Sequence, residues 1–219
     1  MQTTEDATMT IKEQTIMQAS GNRIMTRDRE VQIVGKIDEP LILIMDNVLS
    51  GDECDALIAL AANRMQRAKI GKSHTVSDVR TNSSMFFEES ENEWLQSIEA
   101  RTAELMHVPI AHAEPLQILH YKAGQQYQPH LDYFTSGDVV NNRISTLVMY
   151  LNDVEEGGET YFPSLRFAVT PKKGSAVYFE YFYNDPHLNE LTQHAGNPVT
   201  AGEKWVATQW MRRQRHRSF

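Results

Sequence analysis

Tyr127-Gln-Pro-His-Leu-Asp-Tyr-Phe134 sets a histidine and an aspartate two residues apart in an extended segment. Side chains at i and i+2 of a strand share a face, so the His130 imidazole and the Asp132 carboxylate, separated by roughly 7 Å of backbone, can converge on one ion. The same spacing suits an edge-strand pair facing water, and with eight histidines in the chain a chance pair is ordinary. A third histidine favours the ion. His194, in Leu191-Thr-Gln-His-Ala-Gly-Asn-Pro198, is followed ten residues later by Lys204.

Two histidines and one carboxylate form the donor set of non-heme Fe(II) sites, giving a net charge of about +1 and leaving about three of six positions open. Those positions suit dioxygen and a chelating 2-oxo acid such as 2-oxoglutarate, whose distal carboxylate then needs a cation several ångströms away. Lys204 is the candidate. In Glu203-Lys-Trp-Val-Ala-Thr-Gln-Trp-Met211, alternation puts Lys204, Val206, Thr208 and Trp210 on one strand face, so an ammonium group would stand beside an apolar and aromatic wall. A buried lysine without a partner is costly, so this placement expects an anion. A strand-end lysine snorkelling to solvent is the alternative.

Further motifs fall into order around these residues: Leu116-Gln-Ile-Leu-His-Tyr121, Tyr127-x-x-His130-x-Asp132-Tyr-Phe, Asn142-Arg-Ile-Ser-Thr-Leu-Val-Met-Tyr-Leu151, Glu155-Glu-Gly-Gly-Glu-Thr160, and His194-Ala-Gly-x-Pro-Val through Gly202-x-Lys-Trp205. Over about residues 36 to 213 the chain resembles the catalytic domain of the prolyl 4-hydroxylases, in particular the short single-domain bacterial enzymes. The resemblance implies a double-stranded β-helix, a distorted jelly roll. It implies iron ligation by His130, Asp132 and His194, and binding of the 2-oxoglutarate C5 carboxylate by Lys204, Thr160 and Tyr121. It sets Arg143, Trp210 and Tyr127 in the substrate groove, with Arg143 counted among the catalytic residues. The implied reaction consumes 2-oxoglutarate and dioxygen, releases succinate and carbon dioxide, and hydroxylates a prolyl residue of a peptide or protein, collagen-like sequences included, with ascorbate as an accessory cofactor. It also suggests a homodimer.

At 219 residues the chain can bury a sizeable core, and no linker divides it. One cysteine, Cys54, excludes an intramolecular disulfide and suits a reducing compartment; it lies on the apolar face of an expected helix and reads as packing. The first residues lack a basic start and an apolar h-region, and the longest apolar run, Pro40 to Met45, is too short to cross a bilayer, so the expectation is a cytoplasmic protein without membrane contact. A net charge of −8 argues against nucleic acid. Only Arg212-Arg-Gln-Arg-His-Arg217 is basic, and a solvated tail over 214–219 is the expectation.

Along the chain, residues 1–35 read as a polar N-terminal segment packed on the same domain, the catalytic domain running over 36–213. Glu30–Val34 and Leu41–Asp46 read as strands. Ser50-Gly-Asp-Glu53 is a capping box opening a helix with Cys54, Leu57, Ile58 and Ala61 inward. A second helix is expected over about Glu91 to Met106, with Trp94, Ile98 and Leu105 inward, ending before Pro109. Strands then dominate: 116–122, 127–134, 143–151, 159–162, 166–170, 174–182 and 203–212. Helices followed by strands give an α+β class, a jelly roll braced by N-terminal helices. Gly157-Gly158 reads as a hairpin turn in a solvated acidic segment. Tyr178, Tyr181, Phe182 and Tyr183 read as core, and His74, His107, His112, His120, His187 and His216 belong to no comparable constellation. The polar loops 69–84 and 135–142 flank the ligand strands and suit lids over a peptide as well as ordinary surface loops.

The sequence leaves two other readings open. One keeps the iron chemistry but acts on another side chain or a small molecule. The other is a non-catalytic jelly-roll binding module, which has no need of His130, Asp132, His194 and Lys204 together.

Overall fold

The computed structural model describes residues 13–18, 21–68, 78–89, 91–137 and 139–218. Its strands are β1 (Arg23–Met25), β2 (Glu30–Asp38), β3 (Leu41–Asp46), β4 (Gln66–Arg67), β5 (Ser83–Phe86), β6 (Gln117–Lys122), β7 (Tyr127–His130), β8 (Arg143–Tyr150), β9 (Glu156–Gly157), β10 (Thr160–Phe162), β11 (Phe167–Val169), β12 (Ala176–Glu180), β13 (His194–Gly196), β14 (Val199–Ala201) and β15 (Glu203–Arg212). Among the described residues, nine of these form one antiparallel sheet in the order β1-β2-β3-β12-β8-β15-β6-β5-β4, and four form a second in the order β11-β10-β13-β7. Two sheets facing each other across an apolar layer make the expected jelly roll.

Period-two alternation in the large sheet separates two cores. Toward the helices point Leu43 and Met45 of β3, Ile118 of β6, Leu147 and Met149 of β8, Tyr178 of β12, and Trp205, Ala207 and Met211 of β15. Toward the small sheet point Ile42, Leu119, Tyr121, Val148, Tyr150, Val177, Phe179 and Val206, which meet Phe162, Val169 and Val199.

Two helices cover the first face. Helix α1 (Gly51–Ala62) opens on the expected capping box: the Glu53 amide donates to Ser50 Oγ at 3.1 Å, and the Ser50 amide donates to Glu53 Oε2 at 2.7 Å. Its buried stripe is Cys54, Leu57 and Ala61, and burial pushes the Cys54 thiol up to about 11, so it packs rather than reacts. Helix α2 (Glu93–Leu105) is capped by Asn92 and buries Leu95, Ile98 and Leu105, while Trp94 is only half-buried. A short helix α3 (Pro186–Glu190) precedes β13.

Four expectations need correction. Strand β7 ends at His130, not at 134. Arg23–Met25 add a strand the pattern did not show, β1, which pairs at the sheet edge with β2, the strand expected over Glu30–Val34. Gly157-Gly158 is not a hairpin turn: Gly157 ends β9, which pairs with β14, at φ +77° where a Cβ would meet the Pro198 carbonyl at 2.3 Å. The basic tail is solvated only in part: Gln214, Arg215, His216 and Ser218 are exposed, but Arg217 is buried, where its Nη1 donates to Glu99 Oε2 at 3.2 Å, Nη2 donates to Glu99 Oε1, and Nε donates to the Ala113 carbonyl at 3.1 Å. Such a pairing, 118 positions apart, has no local sequence signal. Most of the first expected lid loop, 69–77, lies outside the described residues, as do Asp138 of the second and His74.

Candidate active site

His130 and His194 face each other as cross-strand partners on β7 and β13, with ring centroids 4.3 Å apart. Strand β7 is at the edge of its sheet, where Pro129 costs no ladder bond. Beyond His130 the chain bends, so Asp132 does not reach the centre as the next same-face residue of a strand. The bend carries its carboxylate onto the large sheet, where Oδ2 accepts from Thr146 Oγ1 of β8 at 2.7 Å and from Trp210 Nε1 of β15 at 3.0 Å. Tyr181 and Thr146 share a hydroxyl bond of 2.6 Å behind it. The histidines thus come from the small sheet and the aspartate is anchored on the large one.

The three potential ligand atoms lie within 4.8 Å of one another. His130 Nε2 is 3.6 Å from Asp132 Oδ1 and His194 Nε2 is 3.8 Å from Oδ2. Each Nδ1 is turned away, to the Gln128 carbonyl at 2.9 Å and the Thr192 carbonyl at 3.1 Å. Nδ1–H donation to a carbonyl leaves an Nε2 lone pair on the inner side of the ring. Burial, together with the neighbouring His194, pulls His130 down to about 3, so it is neutral at physiological pH. Burial alone would raise Asp132, but His194, His130 and Arg143 outweigh it and hold the carboxyl at about 2. A neutral imidazole, a fixed carboxylate and a second inward imidazole fit Fe(II) in donor type and charge.

The same cavity, of about 1370 Å³, is lined by Lys204, Thr160 and Tyr121. As the alternation on β15 predicts, Lys204, Val206, Thr208 and Trp210 all reach this cavity. Lys204 sits opposite Tyr121 across β15 and β6, and is 3% exposed. Its Nζ hydrogen-bonds to no carboxylate among the described residues; it lies 5.3 Å from the Tyr121 ring centroid and 5.7 Å from that of Tyr150. Burial pushes the amine down to about 7 against the opposing pull of Glu159. Gly158, at φ +73°, leaves this lysine its room: a Cβ there would stand 3.3 Å from Lys204 Cδ. Thr160 Oγ1 accepts from Tyr150 Oη at 2.8 Å, and burial raises Tyr121 to about 12, keeping both hydroxyls neutral donors. An unpaired buried cation flanked by hydroxyls fits a carboxylate.

On the substrate side, Arg143 is less free than its sequence position implies. Its Nε and Nη2 donate to the Glu114 carboxylate at 2.7 and 2.8 Å, and its guanidinium covers the Trp210 ring at 3.9 Å. Trp210 therefore offers the cavity less open aromatic face than expected and spends its N–H on Asp132. Tyr127 stacks on His130 at 3.5 Å and lies under Arg80 at 4.7 Å. The sequence reading missed Glu114, Arg80, Thr146 and the Tyr181 hydroxyl. Alternation could have singled out Thr146, the polar residue on the Val148 and Tyr150 face of β8.

Comparison with known proteins agrees with this geometry. The model of the 2OG-Fe(II) oxygenase superfamily matches residues 116–212. Probable prolyl 4-hydroxylase 10 of Arabidopsis thaliana is 36% identical over 90% of this chain and 76% of its own. The viral collagen prolyl hydroxylase of Paramecium Bursaria Chlorella virus-1, in its 2OG complex, superposes with a TM-score of 0.63 at 32% identity, covering 78% of this chain and 95% of that one. A Pseudomonas putida prolyl-4-hydroxylase shares the fold, with a TM-score of 0.57 at 21% identity over 79% and 92% of the two chains. The chain belongs to the prolyl 4-hydroxylase family of 2OG-Fe(II) oxygenases. It is an Fe(II)- and 2-oxoglutarate-dependent dioxygenase that hydroxylates prolyl residues in peptides or proteins.

Proposed function

We propose that His130, Asp132 and His194 hold the Fe(II), that Lys204 with Thr160 and Tyr121 takes the C5 carboxylate of 2-oxoglutarate, and that an extended, proline-rich segment, collagen-like in its repeats, lies across the cavity mouth. The observation that carries this reading is the donor triangle opening into the cavity that holds a buried lysine without a carboxylate partner. Iron and 2-oxoglutarate together supply the oxygen-activating chemistry. The chain supplies position: the Nδ1 bonds aim both imidazoles, and Thr146 and Trp210 fix one carboxylate oxygen of Asp132 and leave Oδ1 for the metal. Phe162 and Phe179 pack on the His194 side and keep water from it.

A proline segment has no charge to grip and lacks one backbone donor, so recognition rests on polyproline II shape, aromatic contact and donors to carbonyls. Tyr127 and the Nη1 edge of Arg143, held only by a long 3.4 Å bond to the Asp132 carbonyl, suit those tasks. Ascorbate would restore ferrous iron after uncoupled turnover, and the thiol of Cys54, buried without a disulfide partner, fits the reducing cytoplasm we assign to the protein.

The test is mass spectrometry of proline peptides, Pro-Pro-Gly repeats among them, after incubation with Fe(II) and 2-oxoglutarate, alongside succinate release. Hydroxyproline on the collagen-like repeats is the expected result. Succinate release with every proline peptide left unmodified would overturn the substrate assignment, and normal turnover by the His130→Ala, Asp132→Ala and His194→Ala variants would overturn the iron site.

A further inference from the structure

We propose that Arg67 selects substrates whose target proline is flanked, about six to eight residues away on one side, by an acidic side chain. The inference rests on the reading above that an extended proline segment occupies the main cavity. Charge is what carries it. The chain has a net charge of −8, yet among the described residues its cavity is lined by Arg64, Arg67, Arg80, Arg143, Arg212 and Lys204 against one carboxylate, Asp132.

Three of these six cations are already matched by carboxylates, and the others differ in what holds them. Arg143 and Arg212 both bind Glu114 behind the wall. Arg64 forks onto Glu91 at 2.6 and 3.0 Å. Lys204 is assigned to the co-substrate. Arg80 is fixed by the amide oxygens of Asn82 and Gln117 and lies over Tyr127. The Arg67 guanidinium makes no hydrogen bond or ion pair to a described residue, although the side chain is half-buried against the cavity. A cation held at a groove edge without a partner favours an anionic group on whatever fills the groove.

The sheet register fixes how far that group lies from the Trp210 anchor of Asp132. Strand β4, which carries Arg67, is three strands from β15 in the order β15-β6-β5-β4, and Arg67 stands level, through Ser83 and His120, with Trp205, five residues along β15 from Trp210. At about 4.8 Å per strand and about 3.3 Å per residue along it the offset is roughly 22 Å, which a polyproline II segment rising ~3.1 Å per residue spans in about six to eight residues.

The experiment uses fluorescein-labelled peptides of equal length with one central proline and Glu, Gln or Lys at the sixth to eighth positions on either side. Anisotropy measures their binding and mass spectrometry their hydroxylation. Glu on one side should lower Kd and KM about 2- to 5-fold relative to Gln, with kcat unchanged and the advantage shrinking at high salt. Arg67→Glu should reverse the order, so that the Lys peptide becomes the best ligand. A merely structural arginine would weaken all three peptides alike. An unchanged ranking in Arg67→Glu, or equal Kd for Glu and Gln peptides with the native enzyme, overturns the inference while hydroxylation of either peptide leaves the proposed function standing. If none is hydroxylated the proposed function falls, and the anisotropy ranking still decides the role of Arg67.

Discussion

Arg101 and Arg217 in the helix layer are as buried as Lys204 in the cavity, at 2%, 3% and 3% exposed, but their surroundings differ. Arg101 is enclosed by the carboxylates of Asp28 and Glu53, at 2.6 and 2.7 Å, and by the Val48 carbonyl. Arg217 is bound by Glu99 and by the carbonyls of Ala113 and Glu114. Lys204 has aromatic rings and hydroxyls around it and no bonded carboxylate among the described residues. Where a buried charge serves the fold, the chain supplies its counter-charge; on the proposed reading, where it serves a ligand, the chain withholds it. The lysine then carries an uncompensated desolvation cost until 2-oxoglutarate binds, whereas each arginine is compensated within the folded chain.

The largest effect should come from the donor triangle, where the metal completes what the chain leaves open. His130→Ala, Asp132→Ala and His194→Ala should each take succinate formation below detection, beyond the roughly 10–100-fold cost of losing an outer-shell partner. Circular dichroism should show all three folded, because no ligand closes a core ion pair. Near-normal turnover in any of them would remove that residue from the iron.

Arg217→Ala sharpens the other half of the comparison. It strands the Glu99 carboxylate, and breaking a buried pair in this way costs about 3–5 kcal/mol. Urea denaturation should show that loss, while kcat and both KM values of the remaining folded enzyme stay put. A change in the KM for 2-oxoglutarate would mean that the helix layer and the cavity are coupled.

These contrasts were unequally legible in the sequence. Period-two alternation on β15 identifies the cavity face because both neighbours of each residue in the strand obey it, and the capping box of α1 is encoded within four residues. His194 is found by its spacing to Lys204. The bend that docks Asp132 on Thr146 and Trp210 is invisible locally, since the strand stops where an edge strand meets the opposite sheet. Glu114 and Arg217 belong to ion pairs with partners 29 and 118 positions away, and no local pattern marks them.

Lys204→Ala tests the comparison at its centre. A charge-assisted bond to a sheltered carboxylate is worth about 2–3 kcal/mol, so the KM for 2-oxoglutarate should rise roughly 30- to 150-fold. Stability should move the other way. Burial sets the folded amine at about 7, below its unfolded value, so the unfolded chain binds more protons between those two values. The ligand-free protein should therefore gain stability as pH rises from 7 toward 10, with the penalty fully present below 7, and Lys204→Met should abolish that slope and raise the Tm at pH 6. Binding follows the opposite sign: the dianion needs the ammonium form, so the KM for 2-oxoglutarate should climb above pH 7 in the native enzyme and stay flat in Lys204→Met. A native profile flat from pH 6 to 9 would mean that this lysine does not meet the carboxylate.

The smallest expected effect lies where the two kinds of burial meet. Trp210 has its ring under Arg143, which Glu114 holds, and its Nε1 on Asp132 Oδ2, so one side chain joins a self-paired network to the open site. Trp210→Phe keeps the ring stack and removes only the donor. Thr146 still binds the same oxygen at 2.7 Å, so Asp132 loses one of two anchors. Fe(II) affinity, followed by metal titration of the ligand-free protein, should weaken about 10-fold, the low end of outer-shell losses. The KM for peptide should change little, because the stacked face remains. Trp210→Ala should add a loss of peptide binding by uncovering Arg143. If Trp210→Phe leaves iron affinity untouched and raises the peptide KM instead, the indole N–H serves the substrate, and Thr146 alone anchors the carboxylate.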